Sequence, residues 1–262
     1  MRSIVIASGK GGVGKTSIAL NLGLVLAQQG KRVVIVDADV SMANVGIMLG
    51  IERAPISLHN VLMGETNIRD AVYEGPYKLK YVPSSLSLER VKRLSMERLK
   101  GAIADLEPIA DYVIIDSPPS LNRETEYALM AAKEMLLIVT PDPASLADAL
   151  KVLNFASKNS VSVMGIVINM SIGDKNEVKK DDVETLLSSQ VVVSIPEDME
   201  MRRATIAQVP LVMRSPQSPS AKKIRELAAA ITGEAVIQPE TKVKKSLLRK
   251  IIDFLTGRKD PQ

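Results

Sequence analysis

Six short apolar runs recur along the chain, at 3–8 (SIVIAS), 33–37 (VVIVD), 112–116 (YVIID), 135–140 (MLLIVT), 163–169 (VMGIVIN) and 191–195 (VVVSI). They are rich in β-branched residues and apolar at successive rather than alternate positions. That pattern predicts strands covered by helices on both faces. Between them, 16–29, 96–106, 124–133, 144–158 and 181–187 read as helices, the first stopped at Gly30. Repeated strand–helix units predict an α/β fold with a mostly parallel central sheet and right-handed crossovers. The stretch 50–95 is broken by Pro55, Gly64, Gly75, Pro76 and Pro83, so it reads as short helices and one strand near 78–83. Further helices are expected at 199–208 and 218–231. No internal repeat is present.

The pattern changes after 232. Residues 233–242, with Gly233 and Pro239, read as a linker, followed by a helix from Val243 to Thr256, ended by Gly257, and a tail over 257–262. On a helical wheel Val243, Leu247, Leu248, Ile251, Ile252, Phe254 and Leu255 share about half the circumference. Lys245, Arg249, Lys250 and Asp253 take the other side, and Lys244 falls inside the apolar arc near the helix start. Such a helix is about 20 Å long, enough to lie on a bilayer but not to cross it. Amphipathicity alone more often marks a terminal helix docked on the body or on a partner; the concentrated charge and the proline-containing linker favour the membrane surface.

Charge separates the same two regions. The net charge of the 262 residues is +4, and all of it sits after Pro239; the body is neutral. A basic tail suggests an acidic partner surface. The 46% hydrophobic and 24% charged content excludes global disorder. The absence of cysteine excludes disulfides, zinc–thiolate sites and iron–sulfur clusters held by this chain, and the single His59 excludes a multi-histidine metal site. The apolar run at 4–7 is too short for a signal peptide, and no run approaches a membrane span, so a cytoplasmic protein is expected.

The densest chemistry lies at 9–16. Gly9, Lys10, Gly11, Gly12, Val13, Gly14, Lys15 and Thr16 fit G-x-x-x-x-G-K-[ST], after a predicted strand and opening a predicted helix. Glycines let backbone N–H groups converge on phosphate oxygens, and the helix N-terminus adds partial positive charge. Lys15 is expected on the β- and γ-phosphates, Thr16 on Mg²⁺, and Ser17 beside the same nucleotide. Lys10 is not needed to cradle phosphate; a solvated loop lysine is the plain alternative. Asp37 and Asp39 end the second strand, at the crevice where ligands of parallel sheets bind. Asp39 could orient an attacking water or hold a Mg²⁺-bound water, whereas Asp37 could brace the loop. Asp116, ending YVIID, has the form of an acid in the Mg²⁺ shell. Asn169 could serve an adenine edge or cap a turn.

The string KGGVGKT resembles the deviant phosphate loop of the MinD/ParA/Mrp ATPases, and the likeness extends over about residues 2–256. It implies a P-loop NTPase fold, ATP/ADP with Mg²⁺, and a homodimer in which Lys10 reaches the partner's phosphates. Asp37, Asp39 and Asn44 match the family's first switch, which ties Asp39 to hydrolysis. The second switch departs from the family: Ser120 stands where glycine is common. Pro196, Glu197 and Asp198 match a segment whose backbone lies against adenine, and Asp148 matches a position on the dimer and switch surface. The run from Arg203 and Ala204 to Val209, Pro210, Leu211 and Val212 fits the same family. The resemblance therefore implies catalytic roles for Lys10, Lys15 and Asp39, and metal roles for Thr16, Asp39 and Asp116. It also implies a C-terminal helix that targets an anionic membrane surface, a protein that stimulates hydrolysis and a recruited cargo protein.

The expected function is ATP-driven spatial regulation, as in cell-division site placement, on the inner face of the cell membrane. A DNA-partitioning member shares the whole nucleotide site, but the neutral body argues against a nucleic-acid surface. A flagellum- or chemoreceptor-positioning relative is closer. An iron–sulfur carrier is excluded by the missing cysteines, and a bacterial tyrosine kinase is disfavoured because the last tyrosine is Tyr127.

Overall fold

The computed structural model describes residues 1–51, 54–85 and 94–235. The apolar runs form β1 (Arg2–Ala7), β2 (Val33–Asp37), β5 (Tyr112–Asp116), β6 (Glu134–Val139), β7 (Ser162–Ser171) and β8 (Val191–Pro196). Two shorter strands, β3 (Tyr73–Glu74) and β4 (Lys80–Val82), precede β5. All join one eight-stranded sheet in the order β3-β4-β2-β5-β1-β6-β7-β8, parallel except for the β3–β4 pair. The mostly parallel α/β architecture is as the sequence predicts. The edge strand β3 is not, because two residues carry no periodicity.

The helices are α1 (Lys15–Gln28), α2 (Val45–Met48), α3 (Leu58–Met63), α4 (Leu99–Ala104), α5 (Arg123–Ala131), α6 (Pro143–Lys158), α7 (Lys180–Leu187), α8 (Met199–Ile206), α9 (Leu211–Arg214) and α10 (Pro219–Thr232). Continuous apolar strands are explained by two cores. Val5, Val34, Val36, Val113 and Ile115 face Leu99, Ile103, Leu129 and Leu146 from α4, α5 and α6. Ile4, Ile6, Ile35 and Ile114 face Ile18, Leu22 and Leu26 of α1 and Ile224 and Leu227 of α10. Each such side chain contributes about 1.5–3 kcal/mol on burial.

Two expected elements are corrected. The helix expected over 96–106 is a 3₁₀ turn, Met96–Arg98, running into the short α4. After Ala104 the chain passes through Asp105 and Leu106 into a second 3₁₀ turn, Glu107–Ile109, so the helix does not continue to 106. The strand expected to end at Asn169 continues to Ser171, through a left-handed Met170 (φ +59°) and a β7–β8 register shift between Ile168 and Ser171, with Ser171 pairing Pro196. Among the described residues no helix is long and apolar enough to cross a membrane. The expected helix over 243–256 and most of its linker lie outside the described residues.

Candidate functional site

The carboxyl ends of β1, β2, β5, β7 and β8 bring the predicted residues to one end of the sheet. After β1 the chain turns through an exposed Gly11–Gly12 pair into α1. Gly14 takes φ +94°, and a Cβ there would lie 2.5 Å from Asn169 Nδ2. Gly9 is required for a different reason: a Cβ would lie 2.2 Å from the backbone carbonyl carbon of Asp148 on α6. Lys15 is buried under this loop and donates to Ser8 Oγ at 2.9 Å, while Ser8 Oγ donates to the Lys10 carbonyl at 2.7 Å.

Three acids crowd below the loop. Asp37 and Asp116 are register partners on β2 and β5, and both are buried. Asp37 Oδ2 accepts from the Asn44 and Val45 N–H groups at 3.0 and 3.1 Å, so Asp37 braces the following loop. Burial, then the Asp116 charge, raises its pKa well above the ordinary carboxylate value. Asp39 Oδ1 accepts from Met42 N–H at 2.9 Å, and burial raises its pKa. Asp116 is 1% exposed, and no donor meets hydrogen-bond geometry with either oxygen. Burial pushes its pKa up to about 7, while the nearby Thr16 hydroxyl and Lys15 ammonium pull it down. Burial likewise lowers the Lys15 pKa, against the Asp116 and Asp39 charges.

An orphaned buried carboxylate beside a threonine hydroxyl fits the shell of a Mg²⁺ ion that keeps its waters. No cluster of three or more His, Cys, Asp or Glu capable of holding a metal occurs among the described residues. The ion would therefore need phosphate oxygens and water to complete its octahedron.

Lys10 does not sit free in the loop. Its Nζ donates to both oxygens of Asp142 in the same chain, at 3.0 and 3.1 Å. Asp142 caps α6 through Ser145 N–H at 2.9 Å and accepts from the Thr140 hydroxyl at 2.5 Å. Burial works to raise its pKa, but Thr140, Ser145 and Lys10 together hold it below the usual carboxylate range. Sequence reasoning missed Asp142; its signal was an acid followed by proline and, three residues on, serine, a helix-start pattern after a strand. Asp148 instead pairs with Lys151 at 2.9 Å. Ser120 adopts φ +66°, the left-handed conformation that glycine takes without steric cost, and its carbonyl accepts from Thr125 Oγ1 at 2.7 Å.

A cavity of about 310 Å³ opens beside α1, lined by Ser17, Asn169, Met170, Pro196, Glu197 and Asp198 among others. The predicted base-side residues are thus brought together. Asn169 Nδ2 is spent on the Val13 carbonyl at 2.8 Å, tying β7 to the phosphate loop. The Asp198 carboxylate caps α8 through Glu200 N–H at 2.9 Å and also accepts from Ser220 N–H at 3.2 Å.

Residues 1–164 match a family model described as an AAA domain, and 107–232 match one described as NUBPL iron-transfer P-loop NTPase. An ATP-binding protein of Methanocaldococcus jannaschii is 36% identical over 98% of this chain and 97% of its own. The septum site-determining protein MinD of Thermotoga maritima is 30% identical over 98% of each chain. Among solved structures, the cell division ATPase MinD of Pyrococcus furiosus superposes with a TM-score of 0.85 at 32% identity, covering 88% of this chain and 98% of that one. MinD of Pyrococcus horikoshii, solved with Mg-ADP, gives 0.84 at 29%, covering 88% and 95%. A MinC:MinD complex of Aquifex aeolicus gives 0.79 at 25%, covering 92% and 99%.

Proposed function

The chain belongs to the MinD/ParA family of P-loop ATPases, and from that membership we propose that it is a Mg²⁺-dependent ATPase whose turnover sets its own location. In this reading residues 1–232 are the ATPase body, 233–242 a linker and 243–256 a membrane-targeting helix. ATP joins two copies, the pair attaches to anionic lipid, and hydrolysis releases it. One helix of this size binds weakly, and two held together bind far better through effective concentration.

The observation that carries the proposal is the buried cluster beneath the glycine loop. Burial lowers the Lys15 pKa and raises that of Asp116, and neither Asp116 oxygen accepts a hydrogen bond of good geometry. A triphosphate with its cation meets both needs. The loop N–H groups and Lys15 bind and orient the phosphates, and Thr16 and Asp116 hold the cation's side of the site. Mg²⁺ bound with the triphosphate supplies charge neutralisation at the β- and γ-phosphates. Asp39 positions the attacking water, Asp37 fixes the loop that carries Asp39, and Lys10 reaches the partner's phosphates after leaving Asp142. Ser17, Asn169, Pro196, Glu197 and Asp198 form the base side. A stimulating protein and a recruited protein complete the cycle, in keeping with the MinC-bound relative. The iron-transfer description of the second family model does not extend to a chain without cysteine.

The test is co-sedimentation of the full chain with anionic liposomes and with DNA, each with Mg-ADP and with a slowly hydrolysed ATP analogue. Liposome binding that requires the ATP form is expected. DNA binding alone would move the protein to the partitioning branch of the family.

A further inference from the structure

The loops that follow β2 and β5 approach the same turn of α5. Asn122 caps that helix by accepting from Thr125 N–H at 2.8 Å. Thr125 is fully buried, and its hydroxyl donates to the Ser120 carbonyl at 2.7 Å, with the Pro118 carbonyl at 3.4 Å. This anchors the loop after β5 and holds Ser120 in its left-handed conformation. The preceding residue, Glu124, faces the other way. Its Oε2 lies 3.4 Å from the Ser41 hydroxyl, in the loop after β2. Ser41 stands two residues past Asp39 and beside Met42, whose N–H holds the Asp39 carboxylate. The Asp39 charge also reaches Glu124.

Neighbouring residues of one helical turn thus grip two loops with unequal strength. The Thr125 arm is buried and short. The Glu124 arm is long and open to solvent. From this juxtaposition we infer that the first turn of α5 is a two-armed clamp, with Glu124 as a positioning residue that transmits a shift of the 117–122 loop to the 39–45 loop and so sets Asp39. The inference rests on the nucleotide-site reading above and adds the route by which the two loops move together. Thr125 makes the 117–122 loop and α5 one body, so displacement of the loop carries Glu124 with it. Glu124 then pulls on Ser41 and re-aims the Asp39–Met42 bond.

Amide hydrogen exchange on the full chain, with and without Mg-ATPγS, tests the clamp. The wild type is expected to gain protection in both 39–45 and 117–122. Glu124→Ala should keep the gain at 117–122 within about twofold and lose most of the gain at 39–45. Ser41→Ala should do the same, and the double variant should add nothing further, as for two ends of one contact. Thr125→Val, nearly isosteric, should speed exchange at 117–122 about fivefold before nucleotide is added, the worth of one buried hydrogen bond. In turnover assays Glu124→Ala should lower kcat with little change in the KM for ATP, and Glu124→Gln should recover part of it. An unchanged response at 39–45 in Glu124→Ala, or additive losses in the double variant, would overturn the clamp. A wild type with no response in either loop would instead overturn the nucleotide-site reading.

Discussion

Replacing Asp116 by Asn tests whether the site stores its binding energy in a misplaced charge. The carboxyl is buried without a hydrogen-bond partner, and its pKa rises from the usual 3.8 to about 7. Between those values the folded chain holds a proton that the unfolded chain has lost. Stability from this group is therefore fully present below about pH 4 and falls as pH rises through 7. A difference of about three pH units corresponds to about 4 kcal/mol, shared with Asp37, its raised register partner. Asn keeps the shape and never ionises. Free of nucleotide and Mg²⁺, Asp116→Asn should match the wild type near pH 4 and exceed it by up to about 4 kcal/mol at pH 8. Urea unfolding of both proteins at pH 4, 6 and 8 measures this. Adding Mg-ATP should erase the advantage, because only the carboxylate gains from the cation. Calorimetry at pH 6.5 in two buffers should detect more proton release on Mg-ATP binding by the wild type than by the variant, which keeps only Asp37 and Asp39 as raised acids. Parallel stability profiles within about 0.5 kcal/mol would refute the reasoning, since Asp116 would then be ionised before any ligand arrives.

Lys15→Ala should abolish ATP binding, read by equilibrium titration with a fluorescent nucleotide, while leaving the fold intact in circular dichroism. Lys10→Ala should keep nucleotide binding and lose turnover, whereas Asp142→Asn should free Lys10 and raise the fraction of ATP-dependent dimer in analytical ultracentrifugation; normal turnover by Lys10→Ala would sink the trans role. Ser120→Gly removes about 1 kcal/mol of left-handed strain and adds a comparable unfolded-state entropy, so its Tm should stay near wild type. Ser120→Val should be less stable than Ser120→Gly by about 1–2 kcal/mol in urea unfolding, because a β-branched residue tolerates φ +66° worst.

The sheet was legible because its strands are buried on both faces and so remain apolar at every position. Asp37, Asp39 and Asp116 were legible because each ends such a run, and the carboxyl end of a parallel strand is where a ligand meets the sheet. The end of β7 was hidden: the left-handed Met170 does not read as strand, although Gly165 within 163–169 did. The partners of the site were hidden for another reason. Lys10 and Asp142 stand 132 residues apart, and Ser41 and Glu124 stand 83 apart. Nothing local in either charge indicates its partner, because the sheet order puts β6 beside β1 and β5 beside β2. Asn169 is intermediate. Its place at the site was readable, but its bond to the Val13 carbonyl was not.

The same sheet order bears on how Lys10 could act in a partner subunit. A lysine that must cross an interface should be held in its own chain only loosely, yet kept from wandering. The Lys10–Asp142 pair fits both demands. Its side chains are 34% and 41% exposed, so water screens the attraction and the pair contributes on the order of 1 kcal/mol or less. Asp142 does not depend on Lys10 for its position, since Thr140 and Ser145 hold it as the cap of α6. Losing Lys10 therefore leaves no buried charge behind. A triphosphate carries several negative charges into a site partly shut from water, where one charge-assisted contact outweighs an exposed ion pair. In the proposed dimer, the exchange from Asp142 to a partner's phosphates would thus be downhill once the triphosphate is present. After loss of the γ-phosphate the remaining attraction is smaller, and Asp142 stands ready to recapture the lysine. On that reading release would need no separate device: the exposed pair would set a low threshold, and the charge on the nucleotide would decide on which side of it the lysine rests.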